Sequence, residues 1–164
     1  MKVCYPGTFD PITKGHLDII ERAARSFDEV VILIMANPRK KCLFSAEDRK
    51  RIIEESLREI GSPENVSVEI GSGLTVNYAA KINCRGIIRG IRAVSDYEYE
   101  LQQATANLML APEIETLFLI AKPQFSFLSS SVVKEISLNH GDISTLVPAC
   151  IVDKVNRMIQ QGNV

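Results

Sequence analysis

The run Glu29-Val30-Val31-Ile32-Leu33-Ile34-Met35-Ala36 leaves a folding chain few choices. Successive side chains of a strand point to opposite faces, so a strand apolar at every position needs cover on both. Such runs are central strands of parallel sheets, and parallel neighbours must be joined by crossovers, usually helices. The rest of the chain supplies both parts. Val3-Cys4-Tyr5, Val66–Ile70, Gly86–Arg89 and Glu115–Ile120 read as further strands. Helical spacing follows Leu17–Ala24, Ser45 to about Ile60, Leu74–Asn83, Asp96–Leu110, the segment opening at Val132, and Ala149 to about Gln161. Asn37-Pro38, Gly61-Ser62-Pro63 and Ala111-Pro112 punctuate them. Strands and helices alternate throughout, which predicts an α/β fold: a doubly wound parallel sheet with right-handed crossovers.

Composition narrows the function classes. The 164 residues are 46% hydrophobic and 24% charged, as expected of one globular domain over residues 1–164. A formal net charge of −1 gives no general attraction to nucleic acid or membrane, so neither is an expected partner. Cys4, Cys42, Cys84 and Cys150 are far apart and His16 and His140 stand alone, which argues against a zinc site. The start lacks a basic segment followed by a long apolar run, and Val30–Ala36 is too short to span a bilayer. With free cysteines, these features lead us to expect a cytoplasmic protein.

In open parallel sheets, ligands lie outside the carboxyl ends of the strands. Four polar clusters fall at those ends. The first is Thr8-Phe9-Asp10-Pro11-Ile12-Thr13-Lys14-Gly15-His16, between strand and helix. A helix start offers free N–H groups and a positive dipole end, a natural anion site, although a Gly/Pro turn there is also ordinary punctuation. The second is Arg39-Lys40-Lys41, which alone would pass for a solvated loop. The third is Arg89-Gly90-Ile91-Arg92, whose arginines could serve an anion or pair with Asp96, Glu98 and Glu100. The fourth is Ser129-Ser130-Ser131, an anion site or a helix cap.

Together these clusters hold charge but do not attack. No cysteine neighbours a histidine, and the serines have no evident base. Phosphoryl or nucleotidyl transfer needs such a set, because there the protein mainly positions reactants and neutralises charge. The Walker pattern is absent, which disfavours a P-loop kinase, and Gly71-Ser72-Gly73 lacks the third glycine of a dinucleotide fingerprint.

Thr13-Lys14-Gly15-His16 resembles the (His/Thr)-x-Gly-His signature of the nucleotidylyltransferase superfamily, and Leu128-Ser129-Ser130-Ser131-Val132-Val133-Lys134 resembles its second signature. Tyr5 through His16, Arg89 through Glu100, Pro112-Glu113-Ile114-Glu115-Thr116 and Ser126 through Glu135 are more specifically similar to the bacterial phosphopantetheine adenylyltransferase family. The resemblance spans nearly the whole chain, and Arg89–Glu100 is its most specific block. It implies a Rossmann-like nucleotidylyltransferase fold. It also implies a reaction of ATP with 4′-phosphopantetheine to give dephospho-CoA and pyrophosphate, with Mg²⁺ carried mainly by ATP. That is the penultimate step of coenzyme A synthesis.

Carried over residue by residue, the resemblance implies catalytic roles for His16, Lys40, Arg92 and Thr8. His16 would bond the α-phosphate, Thr8 the incoming phosphate, Lys40 the phosphate or the transition state, and Arg92 the polyphosphate. Phe9, Gly90, Ile91, Glu100 and the stretch Phe125-Ser126-Phe127-Leu128-Ser129-Ser130-Ser131 would form the nucleotide side. Thr75 would touch the pantetheine arm and Arg89 its phosphate. No protein metal ligand is implied, and a homohexamer is typical. One departure falls at Asn107-Leu108, where the family usually carries Asn-Arg. It bears on subunit packing or the pantetheine end. A cytidylyltransferase, a nicotinamide-nucleotide adenylyltransferase or a non-catalytic nucleotide-binding module would use many of the same groups.

Overall fold

A computed structural model describes residues 1–35 and 41–161. Its strands β1 (Lys2–Gly7), β2 (Glu29–Met35), β3 (Val66–Gly71), β4 (Gly86–Ile91) and β5 (Glu115–Ile120) form one parallel sheet in the order β3-β2-β1-β4-β5. The helices are α1 (Lys14–Ser26), α2 (Ala46–Ser56), α3 (Thr75–Lys81), α4 (Val94–Leu110), α5 (Ser130–Leu138) and α6 (Val152–Gln160). The fold is therefore Rossmann-like, as the alternation predicts.

Side-chain alternation divides the core. Val3, Tyr5, Val30, Ile32, Ile34 and Ile88 face one way, against apolar residues of α1, α2, α5 and α6. Cys4, Val31, Leu33 and Ile87 face the other, against Val76 and Ala79 of α3 and Ala111 at the end of α4. The Val30–Ile34 run is completely buried. Two predicted helices end or begin differently. The helix after Ser45 passes into a 3-10 turn at Leu57–Ile60, closed by Gly61 in the left-handed region at φ 80°. The C-terminal helix is preceded by a 3-10 turn, Ala149–Ile151.

The sheet opens where its order reverses. β1 pairs with β2 along its whole length, from Lys2↔Glu29 to Gly7↔Ile34. On its other side it pairs with β4 at Val3↔Gly86 and Cys4↔Ile87 and no further. Pro6 lies in the parted segment and brings no N–H to either neighbour. The Arg89 guanidinium donates to the Pro6 carbonyl at 3.1 Å, so a side chain stands where the backbone ladder stops. The parting creates a crevice at the topological switch point.

Ile32 lies on the densely packed face at the centre of the sheet and is fully buried. Ile32→Ala should cost about 2–5 kcal/mol in urea unfolding. A loss below about 1 kcal/mol would mean that this face is not the close-packed core described here.

Candidate active site

The crevice widens into a cavity of about 550 Å³ at the carboxyl ends of β1 and β4. Thr8, Phe9, His16, Thr75, Arg89, Gly90, Arg92, Glu100, Phe125, Leu128, Ser129, Ser130 and Ser131 line it. Of the other residues implied by resemblance, Ile91 is buried in the sheet, while Ser126 and Phe127 are exposed outside the lining. Lys40 and its neighbour Arg39 lie outside the described residues.

The cavity straddles the sheet edge. On the α1 side, Gly90 packs beside Ile19 and the Tyr5 hydroxyl. On the α3–α4 side lies a smaller adjoining hollow of about 120 Å³, bounded by Thr75, Arg89, Glu100 and Asn107 among others.

The start of α1 fixes His16 as a hydrogen-bond donor. Thr13 caps the helix, accepting the His16 N–H at 3.3 Å. In return the Thr13 N–H donates to His16 Nδ1 at 3.0 Å. This is a capping box with histidine in the place usually taken by Glu or Gln. An Nδ1 that accepts must be unprotonated, so the neutral ring carries its proton on Nε2. Burial, then the nearby Arg92 charge, lowers the His16 pKa to about 4. The imidazole thus stays neutral at physiological pH, while part of the ring remains open to the cavity.

Phe9 holds that ring from behind. It has φ 48°, a left-handed conformation unusual for a residue with a side chain. Its ring is buried, edge-on to His16 at 5.1 Å and to Tyr5 at 5.5 Å. Gly7 permits this fold-back, since a Cβ there would lie 2.9 Å from the Phe9 ring.

The start of α5 supplies the opposite wall. Ser129 Oγ accepts the Val132 N–H at 3.1 Å, and Ser130 Oγ donates to the Pro11 carbonyl at 2.7 Å, joining the two signature stretches. The serines are thus both cap and cavity wall. Neither α1 nor α5 has an acidic residue in its first turn, whereas α2 carries Glu47 and Asp48 and α4 carries Asp96. Two helix dipoles therefore reach the cavity without a local carboxylate to offset them.

Both arginines of the third cluster line the cavity and are also ion-paired. Arg89 holds Glu100 through two parallel bonds of 2.5 and 2.6 Å. Burial opposes its charge, but the Glu100 bond and charge outweigh that and raise its pKa. Arg92 holds Asp96 at 2.9 and 3.1 Å and donates to the Leu128 carbonyl at 3.0 Å. Each guanidinium keeps N–H groups beyond those engaged, because it has five in all. The pairing fixes the forks before any ligand arrives.

Beneath the lining lies a buried polar layer that motif reading passes over. Asp10 accepts the Leu43 and Phe44 N–H groups at 2.8 and 2.9 Å and pairs with Lys134 at 2.6 Å. Arg49, also buried, donates to the Thr8 carbonyl at 2.7 Å and to that of Phe44 at 3.2 Å. These contacts bind three separate stretches: the first signature, the segment after the basic cluster, and Lys134 of the second signature. Asp10 and Lys134 were legible as motif members, but nothing in the spacing showed that they meet. Arg49 gave no signal, because its place in α2 looks like an exposed helical position.

Comparison with known proteins bears on the family and the fold. A family model described as cytidylyltransferase-like matches residues 4–136. A phosphopantetheine adenylyltransferase of Thermotoga neapolitana is 46% identical over 162 residues, 99% of each chain. One from Dictyoglomus thermophilum is 50% identical, covering 94% of this chain and 93% of its own. A solved structure from Vibrio parahaemolyticus, named for nicotinate-nucleotide adenylyltransferase, aligns with TM-score 0.70 at 15% identity, covering 96% of this chain and 93% of its own. At that identity it speaks to the fold.

Two outcomes test the geometry. In the free protein, the His16 ring resonances should titrate near pH 4; a midpoint near 6.5 would contradict the enclosed, Nδ1-accepting ring. The unfolded chain protonates this histidine near 6.5, so unfolding takes up a proton between the two values. His16 therefore makes the fold less stable as pH falls through that window. Separately, Asp10→Ala leaves Lys134 without its partner and should cost about 3–5 kcal/mol in chemical denaturation. A change below about 1 kcal/mol would show that Asp10 does not bind these segments together.

Proposed function

The chain belongs to the phosphopantetheine adenylyltransferase family and is a nucleotidyltransferase, and on that premise we propose how it joins ATP to 4′-phosphopantetheine. One observation supports the reading above others. Two helix starts with no acidic residue in their first turns, a neutral imidazole donor and two arginine forks converge on one crevice in which, among the described residues, no side chain is set up as a nucleophile. A phosphate acceptor needs no base, because its attacking oxygen is already anionic.

In this proposal the pantetheine phosphate occupies the α3–α4 side, held by Arg89, by the Thr8 hydroxyl and by Lys40, with Thr75 along the pantetheine arm. ATP occupies the α1 side, against Phe9, Gly90, Phe125 and Leu128, with Glu100 at the boundary through its bond to Arg89. The starts of α1 and α5, with Ser129, Ser130, Ser131 and Arg92, take the polyphosphate. An oxygen of the acceptor phosphate forms a bond to the α-phosphorus as the bond to the pyrophosphate oxygen breaks. His16 Nε2–H donates to a non-bridging oxygen where charge gathers. Preorganised donors of this kind act mainly on the transition state.

Mg²⁺ carried mainly by the ATP oxygens and water would supply charge neutralisation. We also propose a cytoplasmic homohexamer, on the family resemblance; the exposed Leu101, Leu108, Met109 and Leu110 of α4 suit a contact between copies. Among the described residues no helix is long and apolar enough to cross a membrane.

The reaction is tested by following pyrophosphate release from ATP and Mg²⁺ with and without 4′-phosphopantetheine, with mass detection of dephospho-CoA. Release should depend on the acceptor; release that ignores it, or none, would overturn the assignment. Folded His16→Ala should lose about 10²–10³ in kcat. Normal turnover by that variant would remove His16 from the mechanism.

A further inference from the structure

Tyr5 opens the first block of the resemblance but carried no expected role in binding, yet it lines the cavity. It projects from β1 to the α1 side of the sheet and is 7% exposed. The ring is fully used: it packs edge-on to Phe9 and lies 6.3 Å from the His16 ring. The hydroxyl is not. It makes no hydrogen bond to protein among the described residues, although buried phenols normally find a partner. Its oxygen lies beside Gly90, and both residues line the cavity, so the hydroxyl end of the ring is the part that meets it.

The surroundings define what could meet it. Gly90 leaves room at that point, since a Cβ there would come within 3.6 Å of the Tyr5 oxygen. Arg89 and Arg92 are near enough for their charges to act on the phenol, and Glu100 opposes them. Burial is nonetheless the largest influence and raises the phenol pKa, so the group stays protonated and able to donate. A neutral donor, nearly dry and beside two guanidinium groups, matches an anionic phosphate oxygen better than an apolar or cationic group.

We propose that the Tyr5 hydroxyl is a substrate-binding donor of the adenylyl-transfer site, bonding a phosphate oxygen at the floor of the crevice between His16 and Gly90. The oxygen belongs either to the nucleotide or to the acceptor phosphate. The proposal rests on the adenylyl-transfer reading for its kinetic effects, and on the cavity geometry alone for binding.

Tyr5→Phe removes the hydroxyl and keeps the ring that Phe9 and His16 pack against. Because no protein bond is lost, thermal stability should be unchanged or slightly higher. Binding should weaken about ten-fold, the scale of a hydrogen bond to a charged group. Calorimetric titration with ATP in one arm and with 4′-phosphopantetheine in the other identifies the source of the oxygen, and kcat/KM should fall by a similar factor. Weakening in either arm with stability retained supports the proposal. Unaltered affinity for both ligands overturns it, as does a loss of stability that accounts for the kinetic change. Affinities can be measured even if the wild-type protein shows no adenylyl transfer, so failure of the reaction assignment and failure of the Tyr5 role are distinguishable.

Discussion

The parting of β1 from β4 is the constraint on which the rest of the structure depends. Hydrogen bonding between these central strands stops after Cys4↔Ile87, while β1 remains paired to β2 through Gly7. An open seam in a sheet leaves backbone polar groups without ladder partners, and such groups must be satisfied in some other way. Pro6 brings no N–H, and the Pro6 carbonyl receives Arg89. The residue that closes the seam is also one of the two arginines lining the cavity. In the proposed reaction, structural repair and ligand recognition would share a side chain.

The site is assembled before any substrate arrives, and its charges are arranged accordingly. Arg89 and Arg92 are held by Glu100 and Asp96, so their forks are oriented without leaving bare cations in the crevice. The helix starts of α1 and α5 are not offset in this way. In the proposed reaction these fixed dipoles would add to the attraction for phosphate without reorganising during the reaction. His16 fits the same logic. Its capping bond from Thr13 dictates the tautomer, and burial keeps it neutral, so it offers one directed proton. Asp10 and Arg49, buried beneath, hold the loops that present these groups.

Much of this was legible in the sequence, for physical reasons that differ by element. The fold class followed from Val30–Ile34, because a strand apolar on both faces has few other homes. Two helix starts followed from Ser45 and Ser129, whose side chains do cap, whereas the cap at Thr13 emerged only in the structure. The four clusters were placed at one sheet edge by alternation alone, and three of them line the cavity, while the described part of the second, Lys41, is exposed. Both alternatives for the arginines proved compatible: they pair with acids and still face the cavity. Strand order was not legible, since it depends on which strands meet and not on their composition. Nor were the Asp10–Lys134 pair, the Arg49 contact or the position of Tyr5. Those depend on side-chain direction after packing, which spacing along the chain does not encode.

The central claim is that these groups hold two phosphates together while one attacks the other, with no covalent step on the protein. The configuration at the α-phosphorus tests it most directly. ATP carrying a single sulfur in place of one α-oxygen, of known configuration, would be turned over with 4′-phosphopantetheine and the product's configuration determined. One direct in-line displacement predicts inversion. Retention would require two displacements, hence a protein–adenylyl intermediate, and would contradict a site built only to position and neutralise.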